Sequence, residues 1–264
     1  MSKENNKKEN KKALKVLVPV VIAAGIFGGL IGVFAATDSA ESLSDIIARN
    51  LESFIMVAAP YLVIITATVG FLLELFFYTS AKKEYALYEQ AVDDEEMDKY
   101  VASIDKKNSM ALLTGSVSLI LSFMFYGATM AYINHHIESD SLLYLLALVF
   151  FVIACFGASK LQQLVVDLEK LMSPEKRGSV YDLNFSSKWE DSCDEMEKLL
   201  IYKSAYASYK ATSAGYAIAV VFLMLMSFFF DYGPLPVMVV CALWLVTVIS
   251  YCRAAMKYDK EKIN

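Results

Sequence analysis

His135 and His136 are the only histidines in the chain and the residues whose type best suits metal or proton chemistry. Glu138 and Asp140 follow them, so the segment offers nitrogen and oxygen atoms of the kind that zinc binds. Zinc needs three or four ligands, however, and adjacent histidines point in different directions on a helix. We therefore expect a solvated loop and predict no metal and no cofactor. A pH sensor is the alternative, because histidine titrates near neutrality.

Cys193 is the candidate nucleophile, because the other three cysteines fall in or beside apolar runs. No histidine lies in its charged segment to activate it as a Cys–His pair would require. We interpret Cys193 as a packing residue and expect no disulfide. The phosphate-binding, metalloprotease and hydrolase motifs (GxxxxGK[ST], HExxH and GxSxG) are also absent from the sequence. The prediction is that this protein is not an enzyme.

Small residues at helical spacing form two lines that would let helices approach each other closely. Such contacts drive helix association in lipid, where hydrophobicity gives no preference between partners. We expect both lines to pack against a neighbouring span, with a homodimer seam as the alternative for the glycines. The residues are Gly25, Gly28, Gly29 and Gly32 in one line and Ala211, Gly215 and Ala219 in the other.

The elements that must position these residues are six uncharged runs, each long enough to cross a bilayer core of about 30 Å as a helix. The chain is 57% apolar and 20% charged, against about 45–50% and about 25% in a soluble domain. We predict an all-α polytopic membrane protein with six transmembrane helices in three hairpins. The net charge of −5 argues against a nucleic-acid partner. The runs are 16–36, 53–73, 108–134, 141–159, 211–230 and 232–252.

The positions of lysine and arginine predict the orientation, because cytoplasmic loops retain them. All but one of the 24 basic residues fall in the two termini or in the segments after the second and fourth runs. Arg49 is the exception. We therefore expect both termini in the cytoplasm of a protein that spans the plasma membrane several times.

The same pattern divides the chain into alternating membrane and cytoplasmic parts. Three hairpins occupy residues 16–78, 108–164 and 211–253. The remaining segments are a basic arm (1–15), an amphipathic linker (79–107), a helical segment (165–210) and a tail (254–264). No charge lies near the middle of a run, and Glu74 is expected to reach the headgroups from an inner end.

The segment 165–210 is predicted to carry the surface that binds a partner. Ser173 and Pro174 end one helix, 178–187 forms a loop, and a second helix begins near Ser187 and continues past Leu200. The acidic run that starts at Asp194 is interpreted as a solvated helix face. The candidate partner surface comprises Tyr181, Trp189, Cys193, Asp194, Glu197 and Tyr202.

The stretch from Pro174 to Asp182, followed by Trp189 and the stretch from Ser192 to Lys198, resembles a known family. Ile201 to Lys203 and the turn Gly233 to Pro236 extend the similarity. The chain resembles the Domain of Unknown Function 3169 family of integral membrane proteins in Gram-positive bacteria, over roughly residues 10–255. The resemblance implies a bacterial plasma-membrane protein and brings no activity, cofactor or catalytic residues with it.

Two functions of different classes fit this pattern. The first is a non-enzymatic accessory or scaffold protein that lies in the lipid bilayer and joins a membrane protein complex through its cytoplasmic helices. The alternative is a permease subunit of a transporter that needs a separate ATPase subunit. Recovery of an ATPase with the purified protein discriminates between them. The sequence leaves the oligomeric state open.

Overall fold

The computed structural model describes residues 38–133, 141–227 and 232–263, together with separate helical positions between residues 11 and 33. Over these ranges every regular element is a helix, which agrees with the predicted all-α class. The helices with described bounds are α1 (Asp38–Tyr88), α2 (Asp94–Ile133), α3 (Ser141–Met172), α4 (Phe185–Asp191), α5 (Glu195–Met226) and α6 (Leu235–Ile263).

All of these helices except α4 are long and apolar enough to cross a membrane, so the chain is a membrane protein. They cover most of five of the six predicted runs, and the first run, 16–36, falls mostly outside the described residues. Large apolar side chains point away from the protein along them, as with Phe156 (74% exposed) and Ile218 (71% exposed). Contact with lipid is favourable for such apolar side chains, whereas contact with water is not.

The helices α1, α2 and α3 continue past the apolar runs into the predicted cytoplasmic segments. The amphipathic linker 79–107 is therefore not a separate helix: α1 extends to Tyr88, and α2 begins at Asp94. The first turn of α2 carries Asp94, Glu95 and Glu96, whose charges favour the positive end of the helix dipole. The acidic run from Asp93 to Glu96, which is unfavourable inside a helix, thus lies where a new helix begins.

These helix extensions pack around a small apolar core. Ala81, Ile104 and Leu168, one from each helix, are buried together. Glu84 of α1 and Lys107 of α2 form an ion pair at 2.5 Å beside this core. These contacts hold the ends of the three helices together. Tyr78, Tyr85, Tyr88, Tyr100 and Met172 pack around the buried residues.

Within the apolar region, α1 and α2 approach each other through small residues. The hydroxyl of Ser118 donates to the carbonyl oxygen of Thr66 at 2.8 Å. A Cβ atom added at Gly70 would lie 1.9 Å from Oγ of Ser118. Only glycine permits this approach, which is the packing that the sequence analysis assigned to other glycines.

The chain divides into two compact units, one of residues 52–201 and one of residues 1–51 with 202–264. In the second unit, the rings of Tyr209 on α5 and Tyr251 on α6 stack with centroids 4.2 Å apart. Gly233 has φ +66°, a backbone conformation that favours glycine, and it lies in the predicted turn before α6. The candidate site described below belongs entirely to the first unit.

Candidate functional site

The segment between α3 and α5 is fixed by hydrogen bonds rather than being a loose loop. Oε1 of Gln163 accepts hydrogen bonds from Oγ of Ser179 at 2.9 Å and from the backbone N–H of Val180 at 2.8 Å. The Lys170 ammonium donates to the carbonyl oxygen of Gly178. Gly178 has φ +124°, and a Cβ there would lie 2.8 Å from the ring of Phe185. The glycine is therefore required both for the turn and for the close packing.

The single helix predicted from near Ser187 onward is wrong, because the chain forms α4, a short turn and then α5. Oδ1 of Asp194 accepts from the backbone N–H of Glu197 at 2.7 Å, and Oε2 of Glu197 accepts from the backbone N–H of Asp194 at 2.9 Å. This reciprocal pair is a capping box, and it starts a new helix at Glu195. The acidic run interpreted as a solvated face is this cap.

Lys176 is the buried centre of the segment, with only 5% of its surface exposed. Its ammonium forms an ion pair with Oε2 of Glu197, the oxygen that also caps α5. Sγ of Cys193 lies 3.5 Å from Nζ, and the centroid of the Trp189 ring lies 5.8 Å away. Burial lowers the pKa of Lys176, but hydrogen bonds to Glu197 and Cys193 outweigh it and hold this pKa above its usual value. Lys176 is therefore a charged, paired lysine.

A cavity of about 330 Å³ opens beside Lys176, between α2, α3 and the start of α5. Its volume lies at the lower end of the range of pockets that hold small molecules. Its lining combines apolar side chains with charged or hydrogen-bonding groups. The apolar lining comprises Leu112, Val165, Val166, Trp189, Leu200 and Ile201, and the polar lining comprises Asp105, Asn108, Ser109, Glu169, Lys176, Cys193 and Glu197.

Asn108 joins two walls of the cavity and keeps one unused hydrogen-bond acceptor. The residue is 4% exposed, and its Nδ2 donates to Oε2 of Glu169 at 3.1 Å. Its Oδ1 is buried and has no hydrogen-bond partner within the described structure. Buried polar atoms are normally paired, so this oxygen marks a place where a donor is missing.

Glu74 is buried at a second place, where α1 contacts α2 within the apolar region. The expectation that it reaches the headgroups is wrong, because only 1% of its surface is exposed. Glu74 precedes Lys82 by eight residues, about 12 Å along a helix axis. Its carboxyl group fits against Gly115, where an added Cβ would lie 2.5 Å from Oε1. That oxygen has no partner in the described ranges.

The predicted partner residues fall into two groups. Trp189, Cys193 and Glu197 line the cavity, whereas Tyr181 is 62% exposed. Asp194 is exposed at the cap of α5, and Tyr202 is 53% exposed on the same helix. The predicted surface is thus in part the wall of a pocket.

The two predicted lines of small residues stay predictions. A Cβ added at Gly25, Gly29 or Gly215 would meet no atom within 4 Å. Gly28 and Gly32 lie outside the described residues, and Ala211 and Ala219 lie on α5. Glycines that do make close contacts are Gly70, Gly115 and Gly157, which the sequence analysis did not single out.

The remaining candidates concern metal and thiol chemistry. His135 and His136 lie outside the described residues. All four cysteines are free thiols, and Cys193 is the most buried of them. In the part of the chain that the structure describes, no three histidine, cysteine or acidic side chains are grouped so as to hold a metal ion.

Lys176, Asn108 and Glu169, three residues of the polar lining of the cavity, were not among the residues predicted from the sequence. The sequence carried a usable signal for the start of α5 only. The D-x-x-E spacing of Asp194 and Glu197 is that of a capping box. Asn108 and Glu169 come together only through the packing of α2 on α3, so their spacing in the sequence carries no signal.

The chain matches the model of one protein family over most of its length. A family model described as "Protein of unknown function (DUF3169)" matches residues 10–255, which is most of the chain. No curated protein matches. No solved structure matches either.

Proposed function

We propose that this chain, which belongs to the DUF3169 family, is a plasma-membrane protein with six spans and both termini in the cytoplasm. The lysine and arginine distribution supports this orientation. The five apolar helices of the described structure account for five of the spans. The run 16–36 supplies the sixth, which makes the number of spans even and leaves both termini on one side.

Its function is to bind a protein partner of the membrane through the cytoplasmic segment that begins after α3. The observation that carries this proposal is a rigid segment with exposed apolar side chains. Tyr181 is 62% exposed and Leu183 fully exposed, although the segment around them is fixed by hydrogen bonds. Rigid, exposed aromatic and aliphatic side chains lose little entropy on binding, which favours a protein contact.

An ion pair and a hydrogen bond stabilise the turn that carries Tyr181 and Leu183. Asp182, which lies between them, forms an ion pair with Lys188 of α4 and accepts from the backbone N–H of Asn184 at 2.9 Å. The Lys188 ammonium and this backbone bond hold the pKa of Asp182 below its usual range. At neutral pH the carboxylate is charged, and the turn that presents Tyr181 and Leu183 stays formed.

We expect this role to be non-enzymatic. Cys193, the candidate nucleophile, is 6% exposed, and its neighbour Lys176 is already paired with Glu197. Neither group is placed to attack a substrate without first losing its present contacts.

Affinity purification from native membranes tests the partner-binding role. The test variant carries Tyr181→Ser and Leu183→Ser, and the matched control is Val92→Ser, which removes another exposed apolar side chain (94% exposed). We expect the protein that copurifies at stoichiometric ratio with wild type to be lost from the double variant and kept by the control. Retention by the double variant contradicts the proposal.

A transporter subunit is the second candidate, and Glu74 favours it. Ionisable side chains inside membrane helices are often part of transport paths, and Glu74 is buried between two of them. Recovery of an ATPase as the stoichiometric partner would support this candidate. Loss of transport in a Glu74→Gln variant that still assembles with the ATPase would assign the carboxyl a part in it.

A further inference from the structure

The cavity beside Lys176 carries more negative than positive charge. Three carboxyl groups line it, at Asp105, Glu169 and Glu197, against the single ammonium of Lys176. That ammonium is paired with Glu197. Across the described ranges, no cation lies within ion-pair distance of Asp105 or Glu169, so a positive group in the cavity would meet two carboxyl groups that have no ion-pair partner.

Asn108 indicates independently that a ligand of this cavity carries a hydrogen-bond donor. An ionised Glu169 carboxylate favours this amide orientation, because the reversed orientation would set the amide oxygen against Oε2 of Glu169, and two acceptors repel. Oδ1 is therefore the free atom. A buried carbonyl oxygen without a donor costs free energy, which a ligand N–H in the cavity would recover.

The rest of the lining suits an apolar body attached to that donor. Val165 is 2% exposed and Val166 7% exposed, and the Trp189 ring faces the same space. Asn108 begins the third apolar run, so the cavity lies where the membrane meets the cytoplasm. Amphipathic amines collect at this depth, with the charged group in the headgroup layer and the apolar part in the lipid.

We propose that this cavity binds a primary ammonium group with an apolar body. Oδ1 of Asn108 accepts one N–H, Asp105 and Glu169 supply the negative charge, and Val165 and Val166 contact the apolar part. This inference goes beyond the proposed protein partner and does not depend on it. A primary ammonium has two sources at this depth, a soluble amine or the ethanolamine headgroup of a lipid.

Trp189 provides a direct readout, because the chain contains only two tryptophans. In a Trp244→Phe background, Trp189 is the sole tryptophan and reports on the cavity. The full-length protein in phosphatidylcholine nanodiscs, whose quaternary headgroup has no N–H, is titrated with 4-phenylbutylammonium. Neutral 4-phenylbutanol and anionic 4-phenylbutyrate are the matched probes. We expect a saturable change of Trp189 emission with the ammonium and none with the other two.

Variants of the lining then test the assigned atoms. Glu169→Gln and Asp105→Asn keep the shape of each side chain and remove its charge, and each is expected to weaken ammonium binding by about ten-fold or more. Asn108→Ala, which removes the acceptor, is expected to do the same. The control is Glu95→Gln, which removes an exposed carboxylate of α2 and should bind like the parent. Equal binding by Glu169→Gln and the parent overturns the proposal.

The two sources are distinguished by native mass spectrometry of protein released from nanodiscs that contain phosphatidylethanolamine and phosphatidylglycerol. Selective retention of phosphatidylethanolamine, lost in Glu169→Gln, assigns the lipid headgroup. Saturable 4-phenylbutylammonium binding without such retention assigns a soluble amine. If neither is seen, or if 4-phenylbutanol binds as well as the ammonium, the cavity holds only water and the proposal fails. The protein partner is absent from all these measurements, so their failure leaves the partner proposal standing.

Discussion

The Nδ2 amide of Asn108 on α2 donates to Oε2 of Glu169 on α3 at 3.1 Å, which links two helices through a partly buried polar contact. The bond joins two walls of the cavity and orders both side chains. It also leaves Oδ1 of Asn108 as an acceptor without a donor. Structural stability and ligand binding therefore depend on the same two residues, and the two effects have to be separated experimentally.

A double-mutant cycle at this pair measures the structural contribution. We expect Asn108→Leu to lower the free energy of unfolding by about 1–3 kcal/mol, because it leaves the Glu169 carboxylate without its donor. In a Glu169→Gln background the same change should cost less, since no charged group is left without its donor. Thermal unfolding in detergent gives both values, with Ser109→Ala as an exposed neighbouring control. Additive effects would mean that the two side chains do not interact.

The ion pair of Lys176 with Glu197 predicts a dependence of stability on alkaline pH. Since the folded pKa of Lys176 is raised, its stabilising contribution is full below the ordinary value of 10.5 and is lost as the pH rises through the folded value. As the pH rises above this value, the melting temperature of wild type should therefore fall more than that of Lys176→Met. Comparison of the two melting curves cancels the titration of the shared tyrosines. Parallel losses in both proteins would contradict the assignment.

The capping box of α5 predicts unequal effects of its two carboxylates. Asp194→Ala should cost about 1 kcal/mol, a usual value for a lost helix cap. Glu197→Ala should cost more, because it removes both the cap and the partner of Lys176. Glu195→Ala is the control, since the Glu195 side chain is 96% exposed. Thermal unfolding of the three variants checks this order, and equal losses at Asp194 and Glu197 would contradict it.

The contact of Gly115 with Glu74 predicts a steric clash that a second change relieves. A Cβ at Gly115 would lie 2.5 Å from the buried carboxyl, so Gly115→Ala should lower the melting temperature. Gly127→Ala on the same helix meets no atom within 4 Å and should be neutral or stabilising. In a Glu74→Ala background, Gly115→Ala should be tolerated. A clash that persists there would place the contact elsewhere.

Membrane orientation can be tested with single cysteines in a cysteine-free background. Leu183→Cys, whose native side chain is fully exposed, should react with an impermeant maleimide only after the cells are permeabilised. Asp38→Cys, at the start of α1, should react in intact cells. Cys193 itself is a poor reporter because it is buried. Labelling of Leu183→Cys in intact cells would reverse the proposed orientation.

The sequence predicted the helical class and the membrane runs because each depends on local composition. Five of the runs coincide with helices because an apolar stretch of that length has no other way to satisfy its backbone in lipid. The site depended on tertiary contacts instead. Asn108 meets Glu169 through the packing of two helices, and Lys176 becomes buried only after the turn at Gly178 brings it against Glu197.

The error at Glu74 has a related cause. Its position at the end of an uncharged run suggested an exposed carboxylate near the headgroups. The opposing glycine, Gly115, is 41 residues away and creates the space that the carboxyl fills. The charge of Glu74 is visible in the sequence, whereas the complementary gap on the neighbouring helix arises only from the packing of α1 against α2.

Site-specific photo-crosslinking in living cells tests the central claim, binding of a partner by the cytoplasmic segment, most directly. A photoreactive phenylalanine analogue is placed at position 183 or, as the control, at position 92, where Val92 is 94% exposed. The account predicts one discrete crosslinked protein at position 183, lost when Tyr181→Ser is added, and none at position 92. No adduct at position 183, or the same adducts at both positions, would contradict it.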